Sequence, residues 1–283
     1  MHKAGENFAL PYAEGLRCKL NNKLPLFFLL QSGVKSQIYK REVFMKKNRW
    51  FAVISAMVMA LAVAGCSDPS SGTGNSGVDY SKYQVGDFVL KDGTILSKDK
   101  TPEKDTVAAV IVRADTLTKP ALGVGIVHNN QSGFKWCKKS AAGYEIDISA
   151  LVGDETSGYM DGSDGWDKLK AACSDAASNP ENYPAWNYCR NYGANTGLEG
   201  DLATGWYLPT VAELYTIYQN ITAVNESLSK AGGSTFVTSF YWSCCQLPSN
   251  YNVARVLNFG YGDVGYDGKD TNNGYVCSVR AFN

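Results

Sequence analysis

Histidine is nearly absent from these 283 residues: only His2 and His128 occur. A Ser-His-Asp triad or a His-rich zinc site would have a single downstream imidazole to work with. None of the eight cysteines forms a CxxC pair, which removes the usual ligand spacing for zinc and the usual redox motif. Long apolar runs are missing too, since nothing reaches the roughly 20 residues that cross a bilayer comfortably. Asp161-Gly162-Ser163-Asp164-Gly165 lacks the spaced acidic ligands and closing Glu of an EF-hand and reads as a turn before a helix. No pair of carboxylates stands out for acid–base work. No metal or other cofactor is expected.

What is present begins with a delivery signal. Met45-Lys46-Lys47-Asn48-Arg49 is basic, Trp50 to Ala64 is apolar, and Val63-Ala64-Gly65 ends the run in small residues before Cys66. Charged start, short apolar core and small-residue end are the parts of a secretory signal. The cysteine after Val-Ala-Gly resembles the bacterial lipobox, which implies lipidation at Cys66 and removal of everything upstream. Ser67 to Gly77 is rich in Ser and Gly, a flexible tether. Residues 1–44 are expected to be an upstream extension, with translation starting at Met45. The expected divisions are thus 1–44, the signal 45–65, the lipidated Cys66 with its linker 66–79, and one domain over 80–283.

Cleavage would change the charge. The first 65 residues hold ten of the 27 Lys/Arg and three of the 27 Asp/Glu, leaving 17 bases against 24 acids. Such an acidic domain lacks the basic footprint of a nucleic-acid binder and a polybasic grip on anionic lipid. Membrane contact is expected through the lipid alone.

The domain reads as α+β. Two short strands about an Asp-Gly turn fit Val85 to Leu96, and Val107–Arg113 and Ala121–Val127 have strand length and composition. Trp166, Leu169, Ala172, Cys173 and Ala176 recur at helical spacing, which predicts a helix over 165–177. Pro184 suits the first turn of a second helix. Thr210-Val211-Ala212-Glu213 fits a capping box, and a further helix is expected from Ile221 to Lys230. Short strands and turn-rich loops follow from Phe236, so helices lie between strands rather than alternating with them. Six exported cysteines (Cys137, Cys173, Cys189, Cys244, Cys245 and Cys277) leave fifteen possible pairings open.

From Tyr241 to Asn283, framework segments alternate with stretches made almost wholly of Asn, Tyr, Gly, Asp and Ser. That vocabulary suits a binding surface: Tyr gives broad contact at low entropy cost, and Ser, Gly and Asn give adaptable hydrogen bonding. The same residues also dominate ordinary turns.

Gly205-Trp206-Tyr207-Leu208-Pro209-Thr210-Val211-Ala212-Glu213-Leu214 resembles the W-x-LPT-x-x-EL signature of the DUF1566, or Lcl C-terminal, domain family. Tyr241-Trp242-Ser243 and Val276-Cys277-Ser278-Val279-Arg280 are similar to that family's later elements. The resemblance covers most of Val85 to Asn283 and implies a C-type-lectin-like domain, the scaffold shared with formylglycine-generating enzymes. It also implies a Cys189–Cys277 disulfide, worth roughly 4 kcal/mol in the chain-entropy model, and less firmly Cys137–Cys173. The calcium-lectin EPN, QPD and WND motifs are absent. The C-terminal gaps resemble the variable region of retroelement-diversified proteins such as the Treponema variable protein, in which asparagine codons are miscopied at adenines.

The resulting expectation is a lipid-anchored outer-membrane, surface-exposed binder, monomeric, with a protein or glycan ligand on another cell and no nucleic-acid partner. Its contacts are expected from Cys244, Cys245, Leu247, Ser249, Asn250, Tyr251, Asn252, Gly260, Tyr261, Asp263, Gly265, Tyr266, Asp267, Asp270, Asn272, Gly274 and Tyr275. Tyrosines would be the anchors, while Trp206, Trp242, Val256, Phe259 and Arg280 would be scaffold. A fixed-sequence adhesin of the same fold is the alternative. A formylglycine-type oxidase is the other, because three cysteines lie near the C-terminus, although no His or clustered Lys/Arg lies near them in sequence to lower a thiol pKa.

Overall fold

The computed structural model describes residues 81–283. The chain divides into units 1–75 and 76–283, and all described residues belong to the second. The expected extension, signal, lipidated Cys66 and linker lie outside the described residues.

The fold is mixed α and β, with two five-stranded sheets and the helices between the first strands and the last. The strands are β1 (Phe88–Leu90), β2 (Ile95–Leu96), β3 (Val107–Arg113), β4 (Ala121–Gly125), β5 (Asn129–Phe134), β6 (Phe240–Gln246), β7 (Val253–Asn258), β8 (Asp263–Gly268), β9 (Gly274–Val276) and β10 (Val279–Phe282). The helices are α1 (Gly165–Ala172), α2 (Pro184–Arg190), α3 (Tyr192–Asn195), α4 (Val211–Gln219) and α5 (Ile221–Lys230). One sheet runs β10-β4-β3-β1-β2 and the other β5-β9-β6-β7-β8. The last strand returns to pair antiparallel with β4, Val279 opposite Val124 and Phe282 opposite Ala121.

Local chemistry sets the helix starts. Thr210 Oγ1 accepts from Glu213 N at 3.1 Å and Glu213 Oε2 accepts from Thr210 N at 2.8 Å, so the capping box is reciprocal. Pro184 opens α2 without a missing bond, because the first helical N–H groups have no partner within the helix. Helix α1 stops at Ala172, short of the 177 that the periodicity predicts. Beyond it Asp175 accepts from Tyr183 Oη at 2.5 Å, Ala142 N at 3.2 Å and Asn182 Nδ2 at 3.2 Å. These tertiary bonds hold the chain out of the helix. Strand β5, in the polar run Asn129-Asn130-Gln131-Ser132-Gly133-Phe134, carries no apolar alternation and escapes a sequence reading.

Three buried clusters form the core. Trp136, Trp166 and Trp186 pack together on one side of β6 and β7, with Trp136 and Trp186 edge to face at 5.1 Å. On the other side α4 lays Leu214 and Ile217 against Tyr241 and Leu257. Burying one large apolar side chain contributes about 1.5–3 kcal/mol, so both faces of this sheet are committed to the fold.

The expected Cys189–Cys277 and Cys137–Cys173 disulfides are not formed; all six described cysteines are buried free thiols. Cys189 does reach Cys277, its thiol donating to the Cys277 carbonyl oxygen at 3.3 Å. Burial pushes the Cys137 and Cys189 thiols up to about 12.

Candidate functional site

The C-terminal gaps do not form one surface. Register places Asn258 opposite Asp263 and Val253 opposite Gly268. The β7–β8 turn at 259–262 therefore closes one end of the sheet. The β6–β7 loop (247–252) and the β8–β9 loop (269–273) lie together at the other, tied by Lys269 N donating to Asn252 O at 2.9 Å. The five steps from Val253 to Asn258 along β7, at about 3.3 Å each, separate the two ends by about 17 Å.

Two buried polar side chains fix the paired loops. Gln246, fully buried at the end of β6, accepts at Oε1 from Ile148 N at 2.7 Å. Its Nε2 donates to Ile146 O at 2.7 Å and Tyr251 O at 3.1 Å. Lys269, also fully buried, donates from Nζ to Gly143 O at 2.6 Å and sits 4.7 Å from the Trp136 ring centre. Burial lowers its pKa to about 8, against the opposing pull of the nearby Cys137 and Cys173. Neither residue belongs to the expected site. No one-dimensional signal marks them, because a Gln and a Lys beside Asn/Gly-rich loops read as two more solvated letters.

On this support the expected contacts divide. Ser249, Asn250, Tyr251, Asn252 and Asn272 are exposed, and Leu247 is half-buried beside them. Tyr266 on the edge strand β8 is 61 % exposed and pairs across the ladder with Arg255. Arg255 Nε is buried without a hydrogen-bond partner. Asp267 is half-buried and bound within its own loop, accepting from Asn273 Nδ2 at 3.0 Å and Gly268 N at 2.7 Å. Asp270 is half-buried as well, its Oδ1 taking Lys135 Nζ at 2.7 Å and Lys139 N at 3.1 Å. The Lys135 bond is the main cause that holds the Asp270 carboxyl below its ordinary range. These two acids order the loop, and their lone pairs are largely used.

Four expected contacts are corrected outright. Cys244 and Cys245 are fully buried in β6, where Cys244 N donates to Pro209 O at 2.8 Å. They are core, not surface. Gly274 is buried against Trp242, where a Cβ would lie 2.4 Å from Nε1. Tyr275 is half-buried with its ring edge on Tyr241 at 5.7 Å. Gly260, Tyr261 and Asp263 occupy the far end, although Tyr261 is 73 % exposed there. Gly265 lies in mid-strand opposite Val256.

The loop end carries no activated nucleophile. The Cys245 thiol is drawn below its ordinary range by hydrogen bonds from Cys244 and the Val211 N–H, while burial drives Cys244 up. Both sulfurs lie inside the core. Among the described residues no group of three or more His, Cys, Asp or Glu could hold a metal ion. None of the described helices is long and apolar enough to cross a membrane. What the arrangement offers is contact: two exposed phenol rings and several amides on a braced end of a sheet.

No family model matches the chain, and no curated protein matches it. Among solved structures, a fimbrial protein from Bacteroides ovatus shares the fold at 14 % identity and a TM-score of 0.53. The likeness covers 71 % of this chain and 49 % of that one, so the chain spans about half of its neighbour's length.

Proposed function

We propose that this chain is a lipid-anchored surface binder, held at Cys66 by the Ser/Gly linker, with a C-type-lectin-like domain displaying its recognition surface at the 247–252 and 269–273 loops. The observation that carries the reading is the brace beneath those loops: buried Gln246 and Lys269 fix the backbone while Tyr251, Tyr266, Asn250 and Asn272 stay exposed. Pre-ordered loops lose less entropy on binding, and exposed tyrosines supply the anchors. The fimbrial likeness supports the mixed helix-and-sheet fold, the C-type-lectin-like assignment rests on the sequence motifs, and an extracellular role rests on the chain's own signal segment. Retroelement diversification belongs to the same proposal, restricted to exposed positions, since change at Cys244, Cys245 or Gly274 would disturb the core. A DNA near-copy of this segment, differing at adenines in the codons for 249–252, 266 and 272, is the genomic sign to look for. Catalysis is not part of the proposal, because the vicinal thiols face the core rather than a cleft.

The test is an array of glycans and cell-surface proteins probed with the wild type and with the Tyr251→Ala, Tyr266→Ala double variant. Specific hits weakened tenfold or more, at an unchanged melting temperature, support the surface. Hits of equal strength from both proteins remove it.

A further inference from the structure

One cation beside the recognition loops has no partner of its own. Arg255 lies on β7, which pairs with β6 on one side and with the edge strand β8 on the other. β6 bulges as it passes. Trp242 stands opposite Val256 and Gln246 opposite Ala254, which leaves Ser243, Cys244 and Cys245 facing Arg255 alone. Bulges of this kind re-aim the side chains beside them. Leu257, two residues along β7, packs with Leu214 and Ile217 of α4, so Arg255 shares that side of the sheet. Its cross-strand neighbour there is Tyr266, 61 % exposed. Ser243 Oγ donates to the Arg255 carbonyl at 2.9 Å and fixes the strand beneath.

The guanidinium is unused by the fold. Its Nε is buried without a hydrogen-bond partner, while its terminal nitrogens make no hydrogen bond and reach solvent. No carboxylate lies within ion-pair distance of it among the described residues. Each of the other three described arginines is engaged. Arg113 donates to Pro120 O at 3.2 Å, Arg190 lies 4.2 Å over the Trp166 ring, and Arg280 donates to Thr204 O at 3.0 Å. A buried donor left without an acceptor costs stability, so what Arg255 meets must come from outside. Its planar fork of donors matches a carboxylate. Residues 66–283 hold 24 acids against 17 bases, which disfavours a dianion over a single carboxylate. We infer that Arg255 receives a carboxylate of the ligand on the α4 side of the β7–β8 edge, with the Tyr266 ring against the ligand's apolar face. This rests on the recognition surface proposed above, to which Tyr266 belongs, and gives its ligand a chemical class.

The test titrates small probes into the full chain and follows the NMR signal of the Arg255 Nε–H. Methyl glucuronoside and N-acetylglutamate methylamide carry the carboxylate. Methyl glucoside and N-acetylglutamine methylamide are their neutral counterparts, and inorganic sulfate is the dianion. At least one carboxylate should move the signal saturably, bind tenfold or more better than its neutral counterpart and than sulfate, and lose tenfold or more in affinity to Arg255→Met. Tighter binding of the glucuronoside makes the source an acidic sugar, and tighter binding of the glutamate an acidic protein segment; either supports the site. Arg255→Met keeps the apolar stem and removes an unpaired buried donor, so it should melt at or above the wild type. A fall of several degrees would show that the guanidinium serves the fold, and the inference would be lost. Equal binding of the neutral probes or of sulfate, or saturable binding by neither carboxylate, overturns it as well. If carboxylates fail while array hits still depend on Tyr251 and Tyr266, this inference falls alone. If carboxylates bind at Arg255 while the hits ignore those tyrosines, the surface reading falls and the Arg255 site stands.

Discussion

Gln246 makes three hydrogen bonds to backbone, two to groups 98 and 100 residues away and one to a carbonyl five residues away. Replacing it with Leu would leave the Ile148 N–H and the Tyr251 carbonyl without their partner, and each buried unsatisfied group costs about 1–3 kcal/mol. Gln246→Leu should therefore lower the unfolding free energy by about 2–4 kcal/mol in urea and speed proteolysis within 247–252. A second residue-scale effect concerns Glu213, buried beneath the α4 cap. Burial raises its carboxyl to about 7, although Thr210 and Tyr207 donate to it. The native state then holds a proton that the unfolded chain releases above about 4.5. This contribution is fully present below about pH 4.5 and lost as pH rises through 7, an effect of about 3 kcal/mol. Buried His128 acts oppositely, its pKa lowered by burial to about 4. The unfolded imidazole takes up a proton near 6.5 that the native one refuses, so stability falls as pH drops from 6.5 towards 4. The two windows overlap with opposite signs, so the effects largely cancel in the wild type. Urea unfolding between pH 4 and 8 should show Glu213→Gln acquire a loss of stability at low pH and His128→Phe acquire a loss as pH rises.

Among the elements, what was legible in the sequence was local. Helix α5 spans the expected Ile221 to Lys230, ending before Gly232-Gly233, and the α4 cap is written in four adjacent letters. Strand β3 matches its apolar run. Features that depend on distant partners stayed hidden. The end of α1 is set by Asp175 bonding to residues 142 and 183. The loop brace requires Gly143 and Ile146 to meet Lys269 and Gln246. The composition of the gaps marked where the chain is exposed only in part, because Cys244 and Cys245 are expected with the loop contacts yet sit buried in β6. Substitution distinguishes the two groups. Cys245→Tyr must overpack a filled core at about 1–3 kcal/mol or more, whereas Asn250→Tyr should move the melting temperature by no more than a degree or two. Equal tolerance at both positions would mean that β6 is not the closed strand described here.

For the whole molecule, the division of labour follows from topology. Both faces of the β6–β7 region are buried, one by the tryptophan cluster and one by α4. The proposed binding contacts would therefore fall at the strand ends and along the edge strand β8. The two ends are about 17 Å apart, and only one is braced by buried polar side chains. The most direct measurement compares affinity for one array-identified ligand after replacing either end with alanine: Ser249, Asn250, Tyr251, Asn252, Tyr266 and Asn272 in one variant, Tyr261 and Asp263 in the other. The account predicts a loss of a hundredfold or more for the first set and less than twofold for the second, with both variants melting near the wild type. A loss confined to the far-end set would contradict it.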